Sequence, residues 1–368
     1  MAEPHAAPVA VGPRVGDETI AFSLADPNRR LVGVELRHEL DLPGQDTRFG
    51  YDETAGAWTL TLPRPPIRRM EYQLTLYHPD GASETVTDPT NPVLTPGAFG
   101  DKSVLGMPDY AAPAWLAGEQ AWPIGAELNV STGVGPVEIT VLSPDEPTSR
   151  LLVAHDGPEY DRLAALGRFA ATMVRHGRVP PFHLALATPG ARDERYSANP
   201  AYATAMVGSV LPELRRTLGT DGPVVLMGAS LGGLAALHIQ RRHPTQVAGL
   251  FLQSGSFFVP QYDEVEKDFR YYNRIIRYVA AVLRGQGSGR AVPTTLTCGT
   301  AEENVHNNRL MAATLRRQGY PATLHEVPDA HNYVAWRDSF DPYLVDLLAK
   351  VWADSGTRWG DGGRVRDA

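Results

Sequence analysis

The chain has 368 residues, 43% of them hydrophobic and 21% charged, with a net charge of −8. That is the composition of a soluble protein with two domains, or with one large domain and an extension. The acidic balance, with both signs interspersed, excludes a general nucleic-acid binder, and the single cysteine, Cys298, excludes an internal disulfide.

The first residues, MAEPHAAPVAVGPRVGDET, lack a charged start followed by an apolar core, and no run of 18 apolar residues occurs. A cytoplasmic protein with no membrane partner is expected. Residues 1 to about 18 are rich in Ala, Pro and Gly and read as loose. TIAFSLAD, LVGVELRHEL, GAWTLTLPRP and RMEYQLTLYHPDG then alternate with period two, and turn residues such as HPDG (78–81) separate them. They predict a small all-β sandwich. Residues 87–103 and 107–123 read as a Pro/Gly-rich linker lying over the second domain, because Trp115 and Trp122 demand burial.

Beyond residue 127 the pattern changes. Apolar strands at 135–144, 150–156, 182–190, 223–230, 247–256, 294–300 and 322–329 alternate with helical patterns at 162–177, 201–219, 231–244, 264–284, 304–319 and 333–352. Pro212 is expected to kink or split its helix. This alternation predicts an α/β domain with a mostly parallel sheet covered on both faces. The expected organisation is 1–125 as sandwich and linker, 126–354 as catalytic domain, and 355–368 as a disordered tail.

The segment VVLMGASLGGLAAL contains Gly228-Ala229-Ser230-Leu231-Gly232 between an apolar strand and a helix. This is the G-x-S-x-G pattern in its strand–turn–helix context, with Ser230 as nucleophile on a sharp turn. Glycines flank it where side chains would collide, and the following helix offers its dipole to an anionic intermediate. A serine needs a base. In an α/β-hydrolase the acid follows the next-to-last strand and the histidine the last. TTLTCGTAEEN supplies Glu302, with Glu303 and Asp329 as competitors for the acid, or a bare Ser–His dyad. ATLHEVPDAHNYVAW supplies His331, while His325 reads as a sheet-face residue.

With these residues assembled, the chain resembles the enterochelin (enterobactin) esterases and the wider esterase-D-like esterases. HDG, GASLGGLAAL, QSGSFF, GTAE and HNYVAW running into Arg337 stand in the family's order, and RDERYSANPAYA resembles another of its segments. The family's Glu after the Arg falls at Arg195, with Glu194 one position early. The resemblance implies an early-set (immunoglobulin-like) sandwich ahead of an α/β-hydrolase domain. It implies a serine esterase acting on a bulky small-molecule ester, a ferric catecholate siderophore foremost, with no cofactor. It places the oxyanion hole at the N–H of Leu231 and in the loop after Asp156. There Pro158 cannot donate, which leaves Gly157 or Glu159. Tyr160, Arg192 and Trp336 become candidate substrate contacts, Arg192 to an anionic catecholate, against the plainer readings of Trp336 as a packing residue beside the site and of Arg192 as a solvated loop residue. A homodimer is compatible with the sequence. Rival readings are a feruloyl- or acetyl-type carbohydrate esterase or acyltransferase, and a non-catalytic glycan-binding protein.

Overall fold

The computed structural model describes residues 12–41, 44–98, 100–287 and 289–353. Of the residues 1–18 expected to be loose, 1–11 lie outside these, as does the tail at 355–368, while Arg14–Val15 form a short strand paired with Ile20 and Ala21. The chain divides into two compact units. One comprises Met1–Ala111 with Thr300–Glu302 and Pro328–Ala330, and the other comprises Ala112–Gly299, Glu303–Val327 and His331–Ala368.

The first unit holds β1 (Arg14–Val15), β2 (Thr19–Ala25), β3 (Gly33–His38), β4 (Gly50–Asp52), β5 (Ala57–Pro63), β6 (Arg69–Tyr77), β7 (Ser83–Val86), β8 (Leu94–Thr95) and β9 (Lys102–Gly106). They form two antiparallel sheets, β1-β2-β5-β4 and β3-β6-β9-β8, with β7 on β6. Alternate residues point inward, as period two requires. Ile20 and Phe22 of β2, Leu60 and Leu62 of β5, and Val34, Met70, Tyr72 and Leu74 of the other sheet share one core. The Phe22 and Tyr72 rings meet edge to face at 5.2 Å. The stretch read as coil at 87–103 contains β8 and the start of β9, because β9 completes the hydrogen bonding of β6 over Arg69–Tyr72.

In the second unit a short 3₁₀ turn, Ala114–Ala117, carries Trp115 into the core beside Phe169, with ring centroids 5.2 Å apart. Trp122 packs on Phe182 at 5.4 Å. The strands are β10 (Ile124–Val130), β11 (Val137–Leu142), β12 (Leu151–His155), β13 (His183–Ala187), β14 (Val224–Ala229), β15 (Gly249–Gln253), β16 (Thr294–Gly299) and β17 (Ala322–Val327). Their order in one mixed sheet is β10-β11-β13-β12-β14-β15-β16-β17. The β10–β11 and β11–β13 pairs are antiparallel and the rest parallel. Leu151 and Val153 feed the core on one face, and Leu152 and Ala154 feed the core on the other. Burial on both faces is why these strands are continuously apolar.

The helices are α1 (Gly157–Ala164), α2 (Leu166–Arg175), α3 (Arg192–Tyr196), α4 (Pro200–Ala205), α5 (Leu211–Leu218), α6 (Leu231–Arg242), α7 (Tyr272–Leu283), α8 (Val305–Arg317), α9 (Tyr333–Asp338) and α10 (Val345–Ala353). Three expected helices are broken. Ala165, at φ +52°, separates α1 from α2. A π-turn, Met206–Val210, interrupts the α-helical bonding between α4 and α5 just ahead of Pro212, which has no N–H to continue it. A further π-turn, Phe340–Leu344, divides 333–352. No helix among the described residues is long and apolar enough to cross a membrane.

Candidate active site

The crossover from β12 to β13 runs to one side of β12, and β14 lies on its other side. That makes the carboxyl ends of β12 and β14 the point where the strand order reverses, the usual ligand site of such a sheet. Asp156 follows β12 and Ser230 follows β14.

Ser230 has φ +54° and ψ −123°. An L residue enters that region at a cost of about 1–3 kcal/mol, supplied by its surroundings. Its N–H donates to the Gln253 carbonyl at 2.9 Å, and its carbonyl accepts from Leu234 N–H at 3.2 Å and Ser256 N–H at 3.1 Å. A Cβ on Gly228 would lie 2.5 Å from the Gly232 carbonyl carbon, so the turn closes only around glycine. Leu231 opens α6, whose first-turn N–H groups have no intrahelical acceptor. Ser230 Oγ lies 3.1 Å from Ser256 Oγ.

On the neighbouring loop, Asp156 is buried in the left-handed region, at φ +54°. Arg192 grips it with two parallel hydrogen bonds, Nε to Oδ1 at 2.9 Å and Nη2 to Oδ2 at 2.8 Å. Burial works against the Arg192 charge, but the Asp156 carboxylate outweighs it and holds the guanidinium protonated. His155 sits fully buried between Tyr196 and Tyr202, its Nδ1 3.1 Å from the Met227 carbonyl, and burial lowers its pKa. Pro158 falls in the first turn of α1. Tyr160 N–H donates to the Asp156 carbonyl at 2.9 Å. Gly157 and Glu159 carry the other N–H groups of that turn, which have no acceptor within the helix. A Cβ on Gly157 would lie 2.3 Å from Leu186 Cα.

A cleft of about 220 Å³ opens at Ser230. Leu231, Ser256, Arg192 and the rings of Phe258 and Phe269 line it, together with Asp193, Glu266, Glu303 and Asn304. Burial and the nearby Glu303 raise the pKa of Glu266. Glu302 is 1% exposed, unlike its cleft-lining neighbour Glu303. His331 Nδ1 lies 3.4 Å from Asn304 Nδ2, and its ring meets Trp336 edge-on at 5.1 Å. Asp329 sits in the first unit's segment, accepting from Ala330 N–H at 2.8 Å and lying 3.8 Å from Arg69 Nε. His325 stacks on Tyr343 at 3.9 Å.

The three expected substrate contacts stand in different surroundings. Tyr160 has no exposed surface, and its hydroxyl donates to Gln253 Oε1 at 2.8 Å, so it is a core residue and not a wall of this cleft. Trp336 is buried, and its Nε1 donates to Ser254 Oγ at 2.9 Å. Arg192 does line the cleft, but with its charge matched by Asp156. Arg195, aligned above with a family Glu, is buried, and its Nη2 donates to the Val134 and Pro136 carbonyls, each at 2.9 Å. The reading of the sequence missed Ser256 and the amides of Asn304, Asn307 and Asn308. The spacing of those three asparagines, i, i+3 and i+4, was the available signal for one polar helix face.

The model of the family described as putative esterase matches residues 135–347, more than half of the chain. No curated protein sequence matches the chain. Among solved structures, the enterochelin esterase from Shigella flexneri superposes with a TM-score of 0.73 at 18% identity, covering 93% of this chain and 96% of that one. The ferric enterobactin esterase from Salmonella typhimurium gives 0.74 at 19% identity, covering 93% and 97%. At such identities the likeness is one of fold, here extending over both units. The chain belongs to the putative esterase family and is a carboxylic ester hydrolase.

Proposed function

We propose that this protein is a serine esterase of catecholate siderophores, with Ser230 as nucleophile, His331 as general base and acid, and Glu302 orienting His331. The observation that carries the reading is the strained Ser230 turn, at φ +54°, opening on a cleft beside the first turn of α6. Ser230 Oγ attacks the ester carbonyl and its proton passes to His331. The N–H of Leu231, with that of Gly157 or Glu159, stabilises the oxyanion. The alcohol leaves with the proton from His331. Water then attacks the acyl-enzyme, again giving its proton to His331, and the acid product departs as Ser230 recovers its own.

Support for an aromatic acyl group comes from Phe258 and Phe269 in the cleft wall. The Shigella flexneri enterobactin esterase has been solved in the presence of enterobactin and of 2,3-dihydroxy-N-benzoyl-serine, which supports the catecholate class. The two antiparallel sheets of the first unit support an early-set module ahead of the hydrolase domain. A cytoplasmic site of action, where iron freed from such a chelate is used, belongs to the same proposal. The test is a panel of metal-free and ferric catecholate trilactones beside feruloyl sugars, read for released acid, with Ser230→Ala as control. Trilactone hydrolysis lost in Ser230→Ala is expected. A preference for feruloyl sugars would move the reading to a carbohydrate esterase.

A further inference from the structure

The loop Ser254–Phe258 is clamped far more tightly than a connection between β15 and the following turn needs. Ser254 is held at φ +46°, its N–H donating to the Thr297 carbonyl at 2.7 Å and its Oγ accepting from Trp336 Nε1 at 2.9 Å. Gly255 has no room for a side chain, since a Cβ would lie 2.4 Å from the Phe257 ring. Its N–H donates to Asn308 Oδ1 at 3.1 Å, and its carbonyl accepts from Asn308 Nδ2 at 2.8 Å. The same Nδ2 donates to the Asn304 carbonyl at 2.9 Å, next to Glu303 in the cleft wall. Ser256 N–H then donates to the Ser230 carbonyl at 3.1 Å. The product of these anchors is one buried hydroxyl, Ser256 Oγ, held 3.1 Å from Ser230 Oγ. The strain held by these anchors lies at Ser254, two residues before the hydroxyl that meets Ser230 Oγ, and strain of this kind clusters at functional sites.

We propose that Ser256 is a catalytic residue whose hydroxyl donates a hydrogen bond to Ser230 Oγ, an inference that rests on Ser230 being the nucleophile. With Ser256 as donor, the Ser230 proton remains for His331. In deacylation, water adds to the acyl carbon and gives a proton to His331. The bond from that carbon to Ser230 Oγ then breaks, and its electron pair stays on Oγ. The Ser256 hydrogen bond stabilises the departing oxygen until the proton on His331 reaches it. Ser256 therefore acts mainly on deacylation, where Oγ is the leaving group. Asn308 is a positioning residue that holds the Ser256 loop.

The experiment compares wild type, Ser256→Ala and Ser256→Thr in the full chain. It uses a fluorophosphonate probe, which reports attack by Ser230 alone, and p-nitrophenyl acetate, whose burst separates acylation from deacylation. For Ser256→Ala the expected labelling rate is within about threefold of wild type, which also shows an intact fold. Turnover is expected to fall about tenfold, the loss of one hydrogen bond to a developing charge. KM falls in step and the acyl-enzyme burst grows. Ser256→Thr, which keeps a hydroxyl, restores turnover to within about threefold. Turnover of Ser256→Ala within twofold of wild type, or labelling and turnover falling together without a larger burst, overturns the proposal. Absence of labelling at Ser230 in the wild type overturns the nucleophile assignment instead.

Discussion

Arg192 and Asp156 form a bidentate ion pair, with N–O distances of 2.9 and 2.8 Å, and the Asp156 side chain is only 3% exposed. The pair joins the first residue of α3 to the residue that follows β12 and caps α1, so the helix turn that carries Gly157 and Glu159 is braced by a charge 36 residues away. The Arg192 charge is engaged before any substrate arrives.

Arg192→Ala leaves a buried carboxylate without its partner. Removing one member of a fully buried pair costs about 3–5 kcal/mol. The Arg192 side chain keeps 35% exposure, so a loss of about 2 kcal/mol is expected here. Urea unfolding at pH 7 measures it. Arg192→Lys should recover less than half, because an ammonium group cannot make the two parallel bonds. Full recovery by lysine would contradict the bidentate role.

Gly157→Ala places a methyl 2.3 Å from Leu186 Cα, a backbone atom of β13 that cannot yield without moving the strand. Overpacking of this kind costs about 1–3 kcal/mol or more. The variant should unfold at lower urea and hydrolyse esters more slowly, since the α1 turn is displaced. An unchanged unfolding midpoint would mean that the turn can open freely.

Glu302 and Glu303 are adjacent in sequence and differ in place, one buried and one lining the cleft. With Glu302 as the triad acid, Glu302→Gln should lower kcat by about 10³–10⁴ through loss of the correct histidine tautomer. Glu303→Gln should alter KM with kcat held within about fivefold. The reverse order in steady-state assays would reassign the acid.

His238 supplies a pH test of stability. Burial, followed by the charges of Arg242 and Arg274, pushes its pKa down to about 3. In the folded state it stays neutral, while in the unfolded chain it titrates near 6.5. Its contribution is therefore complete above pH 6.5. It is lost at about 1.4 kcal/mol per pH unit as pH falls toward 3. Between pH 7 and pH 5 this amounts to about 2 kcal/mol, measured by urea unfolding at both pH values. His238→Gln should lose less stability over that interval by about the same amount.

The Ser230 turn was legible because it is decided within five residues. Only glycine fits at Gly228, and the strand before it and the helix after it each announce themselves by their own period. The sheet was legible for a similar reason, since strands buried on both faces have to be continuously apolar. Tyr160 shows the limit. Standing just beyond Asp-Gly-Pro it reads as a loop aromatic, yet α1 turns it inward to Gln253, 93 residues away.

The sequence alone determined most of the strands, the strained serine turn and the change from period-two strands to alternating strands and helices, because each follows from local sterics and from the period of apolar residues. Tertiary structure decided which polar groups meet. Parallel pairing of Ala229 with Gln253 brings Ser256 to Ser230, and α3 delivers Arg192 to Asp156. Such meetings depend on the register of distant strands and on the packing of helices across them. No local pattern encodes them, and the chemistry of this site depends on them.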